Sequence, residues 1–197
     1  PVSTAATEDE IRRYYEQVIQ AVRIPVIVQD ASGYVGRPMS IELQAGLFRE
    51  FGGRVLFKPE ATPIGPRLTA LRHATGGKAG IFEGTGGIAL VESHQRGIIG
   101  TMPGADLIRG LVALWRALEA GDEKRTRRIS LPVIALVSIQ NSLDAFLAVE
   151  KYLLVKQGVF KNTLVRGPVG YVMDEQTRHE VDRLFDLMIE AVEATSG

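Results

Sequence analysis

Lys58 closes the short run Arg54-Val55-Leu56-Phe57, and a primary amine at the end of such a run is a candidate nucleophile toward a carbonyl carbon. At the ordinary lysine pKa of ~10.4, about one amine in 2,500 is neutral at pH 7. Packing against an apolar wall disfavours the ammonium, and Leu56 and Phe57 are candidates for part of that wall. A lysine in this place could equally snorkel its charge into solvent. Polar residues end each of the apolar runs: Gln29 and Asp30, then Lys58 and Glu60, then Glu83, Gly84 and Thr85, then Gly100 and Thr101. Three of these are carboxylates, so a second chemistry is open. Asp30, Glu60 and Glu83 could hold Mg²⁺ with Lys58 as a base. The same groups could instead bind water or cap helix N-termini. His73, His94 and His179 fall on expected helices away from these ends, so zinc or iron is not expected. Neither a metal nor any other cofactor is part of the favoured reading.

The elements that would position these side chains follow from punctuation and periodicity. Thr7 and Glu10 form a capping-box pair ahead of Ile11, Tyr14, Tyr15, Val18, Ile19 and Val22 at helical spacing. Pro25-Val26-Ile27-Val28 suits a strand buried on both faces. A helix is expected over Ile41–Phe51, stopped by Gly52-Gly53, and then the strand that ends at Lys58. Further helices are expected over Arg67–Thr75 and Ile88–Gln95, with strands over Ala79–Phe82 and Gly97–Thr101. Asp106–Ala120 reads as a long amphipathic helix closed by Gly121. Four βα units in succession imply a parallel sheet with right-handed crossovers. In such folds the site lies at the carboxyl ends of the strands, where the polar residues named above fall. Beyond Gly121 only helices are expected, over about Asp122–Ile139 (strained at Pro132), Leu143–Gln157 and Asp174–Ala194. The reading therefore divides the chain into residues 1–121, a βα array with the lysine, and 122–197, a helical region.

Composition narrows the class. The 197 residues are 45% hydrophobic, enough for a sizeable core. Lys and Arg total 23 against 23 Asp and Glu, so no charge excess favours nucleic acid or a membrane surface. No apolar run approaches the ~20 residues that span a bilayer. The absence of cysteine removes disulfides and thiolate chemistry. A cytoplasmic protein acting on a small molecule is the expectation.

In order and spacing, several segments together resemble the dihydrodipicolinate synthase/N-acetylneuraminate lyase family over nearly the whole chain. Pro1–Thr7 looks like that family's proline-rich loop after strand four, and Pro25-Val-Ile-Val-Gln-Asp30 like strand five. Val55-Leu-Phe-Lys58 is similar to strand six with its Schiff-base lysine, and Phe82-Glu-Gly84 to strand seven. Gly97-Ile-Ile-Gly100-Thr101 resembles strand eight, and Val165-Arg-Gly-Pro168 a stretch between the C-terminal helices. The resemblance implies an α/β fold: strands five to eight of a (β/α)₈ TIM barrel plus a C-terminal helical appendage. It also implies that the sequence, which begins at Pro1, is about two-thirds of an enzyme of roughly 300 residues.

The resemblance further implies a lysine imine with a 2-keto acid, no cofactor and a homotetramer. It departs at one place. The family usually has a tyrosine at the end of strand five, where this chain has Gln29, which cannot exchange a proton near neutral pH. Tyr34 is a candidate substitute from the loop, and Arg37 a candidate for a cation that the family places nearby. Glu83, Gly84, Thr85, Gly100 and Thr101 become candidates for substrate contacts, although Glu83 and Thr85 could simply cap the next helix. The strand with Gln29-Asp30 and the Glu83-Gly84 turn look most like members that dehydrate 2-keto-3-deoxy sugar acids, such as keto-deoxy-arabonate dehydratases. Aldol cleavage or a condensation on pyruvate is the alternative. A sugar-acid-binding relative without activity is a third reading.

Overall fold

The structure, a computed structural model, describes residues 6–32 and 37–194. It divides into two compact units. One contains the residues up to Thr85 with Glu92–Met102; the other contains Gly86–Val91 and the residues from Pro103 onward.

In the first unit, α1 (Glu8–Ala21) starts at the Thr7–Glu10 capping box. β1 (Val26–Asp30) pairs in parallel with β2 (Val55–Pro59), in a register that sets Gln29 beside Lys58. α2 (Ile41–Phe51) connects them, capped by the Ser40 hydroxyl, which accepts from the Leu43 N–H. Its stop at Gly52 uses a positive φ of 56°, a region that glycine enters without penalty. α3 (Ile64–Ala74) follows β2, then β3 (Phe82–Glu83), α4 (Leu90–Gln95) and β4 (Gly100–Thr101). β3 and β4 are parallel, and a parallel bridge between Phe57 and Ile81 links β2 toward β3. The expected α3 was too short at its start. Pro66 lies in the first turn, where the missing N–H has no helical acceptor to lose.

Two expectations about faces need correction. β1 is not buried on both sides: Val28 and Asp30 are buried, whereas Ile27 is 36% exposed and Gln29 is exposed. α1 packs on β1, and α2 and α3 pack on β2. Alternation across the pleat then assigns Val28, Asp30 and Phe57 to one face and Ile27, Gln29, Leu56 and Lys58 to the other. Phe57 is fully buried on the face opposite Lys58, so it cannot wall the amine; Leu56 shares the lysine's face.

The second unit is helical. It comprises α5 (Ile108–Glu119), α6 (Glu123–Ile139), α7 (Leu143–Lys156) and α8 (Glu175–Glu193), the last three capped by the side chains of Asp122, Ser142 and Asp174. α5, α6 and α8 pack mutually, and α6 also meets α7. A Cβ on Gly110 would lie 2.3 Å from the Met188 sulfur, so the α5–α8 crossing depends on a bare backbone. The units part before α5, whereas the sequence reading keeps α5 with the strands and divides at Gly121. Pro132 sits inside α6. Among the described residues no helix is long and apolar enough to cross a membrane.

Candidate active site at the carboxyl ends of the strands

Lys58 is the penultimate residue of β2, and its side chain is only 16% exposed. Its Nζ lies 2.9 Å from Glu60 Oε1, on a carboxylate whose side chain is 8% exposed. Residues i and i+2 of an extended segment face the same way, so the Lys58-Pro59-Glu60 sequence itself brings amine and carboxylate to one side. Across the β1–β2 ladder, the Gln29 amide donates from Nε2 to the same Glu60 oxygen at 2.8 Å. The residue standing where a tyrosine was expected is therefore joined to the lysine through Glu60.

Gly84 closes this cluster from the end of β3. A Cβ there would approach Glu60 Oε1 to 2.6 Å and Lys58 Cε to 2.7 Å. Both are parts of long side chains that can swing aside, so Gly84→Ala is expected to leave the fold nearly as stable. It should displace amine and carboxylate together, and a misplacement near 1 Å can cost up to about 10²-fold in rate. Steady-state kinetics beside a thermal melt would check this; an unchanged rate would show that the pair tolerates displacement.

Glu83 is buried and belongs to a separate group. Its Oε1 accepts from the Thr85 N–H at 2.6 Å and from the Thr85 hydroxyl, and its Oε2 accepts from the Thr101 hydroxyl at 2.6 Å. Glu83 and Thr101 are also partners in the β3–β4 ladder, and Gly100 pairs with Phe82. The structure thus brings Glu83, Thr85 and Thr101 together as a bonded cluster. Tyr34 lies outside the described residues. Arg37 is exposed and donates to the Ala6 carbonyl oxygen at 3.3 Å; among the described residues no bond joins it to Lys58 or Glu60.

The three carboxylates considered for a metal are each engaged separately. Asp30 accepts from the Met39 N–H at 3.1 Å and faces Arg67 Nη2 at 3.4 Å; Glu60 and Glu83 have the partners given above. Among the described residues, no group of three or more His, Asp or Glu side chains could hold a metal ion. Arg67 went unrecognised as part of this support. It lies on α3, 37 residues from Asp30, and no local pattern announces the pairing. Arg67→Ala should cost about 2 kcal/mol, because it leaves a buried carboxylate without its cation. That lies below the ~3–5 kcal/mol for a tightly paired buried ion because the N–H bonds to Asp30 remain. Urea unfolding would measure it, and an unaltered midpoint would mean that those N–H groups suffice.

No family model matches the chain. It is 29% identical over 182 residues to the L-2-keto-3-deoxyarabonate dehydratase of Azospirillum brasilense, covering 90% of this chain and 53% of that protein. Among solved structures it is similar to a dihydrodipicolinate synthase from Rhodopseudomonas palustris, with a TM-score of 0.83 and 24% identity over 94% of this chain and 64% of that one. It is also similar to a catalytic lysine mutant of the Ruminococcus gnavus sialic acid aldolase, with a TM-score of 0.80 and 16% identity over 97% and 63% of the two chains. The chain thus spans about half the length of the curated relative and under two-thirds of these solved structures. Its fold corresponds to the C-terminal part of theirs, a partial TIM barrel with strands five to eight followed by a helical appendage.

Proposed function

We propose that this chain, which belongs to the dihydrodipicolinate synthase/N-acetylneuraminate lyase family, serves a lyase that binds a 2-keto acid covalently on Lys58 and dehydrates a 2-keto-3-deoxy sugar acid. The observation that carries the reading is a mostly buried amine at the carboxyl end of a parallel strand, held beside the bare backbone of Gly84. The dehydratase relative supports the choice of substrate class.

Condensation of the Lys58 amine with the C2 ketone expels water and leaves a protonated imine, which draws electrons from C3. The C3–H bond then breaks, its electron pair forming the enamine. Return of that pair expels the C4 hydroxyl, which takes up a proton and leaves as water. Hydrolysis of the product imine frees the lysine. Aldol cleavage differs in breaking C3–C4 while a base removes the C4 hydroxyl proton. Gln29 supplies no such base, and the carboxyl end of β1 therefore favours dehydration.

The Thr101 hydroxyl spends its one hydrogen on Glu83 and keeps lone pairs to accept from a substrate hydroxyl; Thr85 and the Gly84 and Gly100 backbones border the same place in this proposal. The enzyme is further proposed to be cytoplasmic and tetrameric, with no partner beyond its substrate and sister subunits. Borohydride added with a 2-keto-3-deoxy sugar acid should leave a reduced adduct on the peptide containing Lys58, and the sugar acid should lose one water in turnover. Turnover abolished by EDTA, with no adduct, would replace this reading with metal catalysis. Adducts without dehydration, accompanied by pyruvate release, would replace dehydration with aldol cleavage.

A further inference from the structure

We infer that Glu83 is a positioning residue for substrate specificity: by holding the Gly84–Thr85 peptide it turns the Gly84 carbonyl oxygen toward Lys58, as the acceptor for a hydroxyl of the sugar acid bound there. The inference rests on the Schiff-base reading of Lys58 and adds the groups that tell a hydroxylated 2-keto acid from a plain one.

Glu83 and Lys58 lie on opposite faces of their strands. Ile81 bridges Phe57 in parallel, so those two side chains share the face away from Lys58, and Glu83 follows Ile81 by two residues. Gly84 is one residue further on and faces the lysine: a Cβ there would lie 2.7 Å from Lys58 Cε. From its own face, Glu83 Oε1 accepts the Thr85 N–H at 2.6 Å. That N–H belongs to the trans peptide between Gly84 and Thr85, in which N–H and C=O point in opposite directions. Drawing the N–H toward Glu83 therefore directs the Gly84 oxygen to the side of the amine. Among the described residues no hydrogen bond reaches that oxygen, so its lone pairs remain unspent beside Lys58.

The carboxylate that holds the peptide is itself fixed. Its Oε1 also accepts from the Thr85 hydroxyl, and its Oε2 accepts from the Thr101 hydroxyl at 2.6 Å. The Glu83 carbonyl oxygen accepts the Met102 N–H at 2.9 Å, which ties the same residue to the end of β4. Glu83 is only 2% exposed, so these donors are shielded from water. A peptide carbonyl accepts and never donates. Beside the bound carbon chain it is satisfied by a substrate hydroxyl and left unpaired by the methyl group of pyruvate. An acceptor presented rigidly and left unpaired carries a desolvation cost, and that cost is what discriminates between the two ligands. Glu83 does not touch the substrate; it acts through Gly84.

The test compares the rates at which borohydride traps pyruvate and L-2-keto-3-deoxyarabonate on Lys58, in the full-length protein carrying this sequence. Glu83→Leu removes the acceptor from the Thr85 N–H. It is expected to lower the sugar-acid rate relative to the pyruvate rate by about tenfold, the worth of one neutral hydrogen bond. Glu83→Asp has a shorter carboxylate that still reaches the N–H two residues on, and it should hold the ratio within about threefold of the parent. Thr85→Pro lacks the N–H while Glu83 stays in place. It should reproduce the loss, and it decides the matter if Glu83→Leu does not fold. Equal slowing of both probes in Glu83→Leu would overturn the inference, because structural support alone affects the two alike. So would an unchanged ratio in Glu83→Leu or Thr85→Pro, or a ratio lost as fully in Glu83→Asp as in Glu83→Leu. If the unsubstituted protein takes no label from either probe, the Schiff-base reading fails, and that result is distinct from a failure confined to the variants.

Discussion

Lys58→Arg should eliminate the borohydride-trapped adduct and reduce turnover by at least about 10⁴-fold, the scale of loss when the nucleophile of a covalent mechanism is removed. Arginine is the informative replacement because it separates charge from nucleophilicity. A guanidinium preserves a positive partner for Glu60 Oε1 and a long stem along the Leu56 face, yet it cannot be deprotonated in a protein. Lys58→Ala removes the charge as well, leaving Glu60 with the Gln29 amide as its recorded partner. If the amine acts only through its charge, arginine should retain much of the rate and alanine little. If it acts as a nucleophile, both variants should be inactive while the arginine variant melts near the parent temperature. Measuring trapped mass, turnover and melting in the two variants decides between these. Substantial turnover by either would refute covalent capture at this position.

Most of the elements are legible in the sequence because their signals are local. The Thr7–Glu10 box lies within one turn, and the Ser142 and Asp174 caps precede their helices directly. The glycine stop after α2 is encoded at the residue that adopts φ 56°. Facing and partnership were harder to read, because they depend on which strands and helices become neighbours. An apolar β1 reads as buried on both sides, yet α1 covers only the face carrying Val28 and Asp30, and Ile27 remains partly open.

The strand containing the lysine carried an unused signal. Alternation places Phe57 opposite Lys58, and the i, i+2 spacing of Lys58 and Glu60 brings their side chains together. The sequence reading offers Glu60 as a metal ligand, a water-binding group or a helix cap, because strand ends read without register stand apart from one another. Gln29 against Lys58 in the ladder turns those ends into one connected cluster. The Glu83–Thr101 pair likewise needed the β3–β4 register.

Asp106→Asn should stabilise the protein near neutral pH by up to about 3 kcal/mol and do almost nothing near pH 4. Asp106 is 3% exposed, and loss of hydration raises its carboxyl from 3.8 to about 6, against the opposing effect of the Gln140 amide, which donates to Oδ2 at 2.8 Å. Repulsion from Glu150 adds to the rise. That carboxylate lies across Gly104, where an added Cβ would approach Asp106 Oδ1 to 2.8 Å and Glu150 Oε1 to 3.0 Å. The folded state binds the Asp106 proton more tightly than the unfolded state does. Stability from this group is therefore complete below about pH 3.8 and is lost as pH rises through about 6. At ~1.4 kcal/mol per pH unit, a rise from 3.8 to about 6 corresponds to about 3 kcal/mol. Asparagine keeps the volume and an oxygen for Gln140 while never acquiring the charge. Its advantage over aspartate should accordingly open between pH 4 and 6 and level off above pH 7, as followed by urea midpoints across that range. An advantage of equal size at pH 4 would assign the effect to packing, and a loss at pH 7 would show that the charged carboxylate is needed by the Gln140 contact.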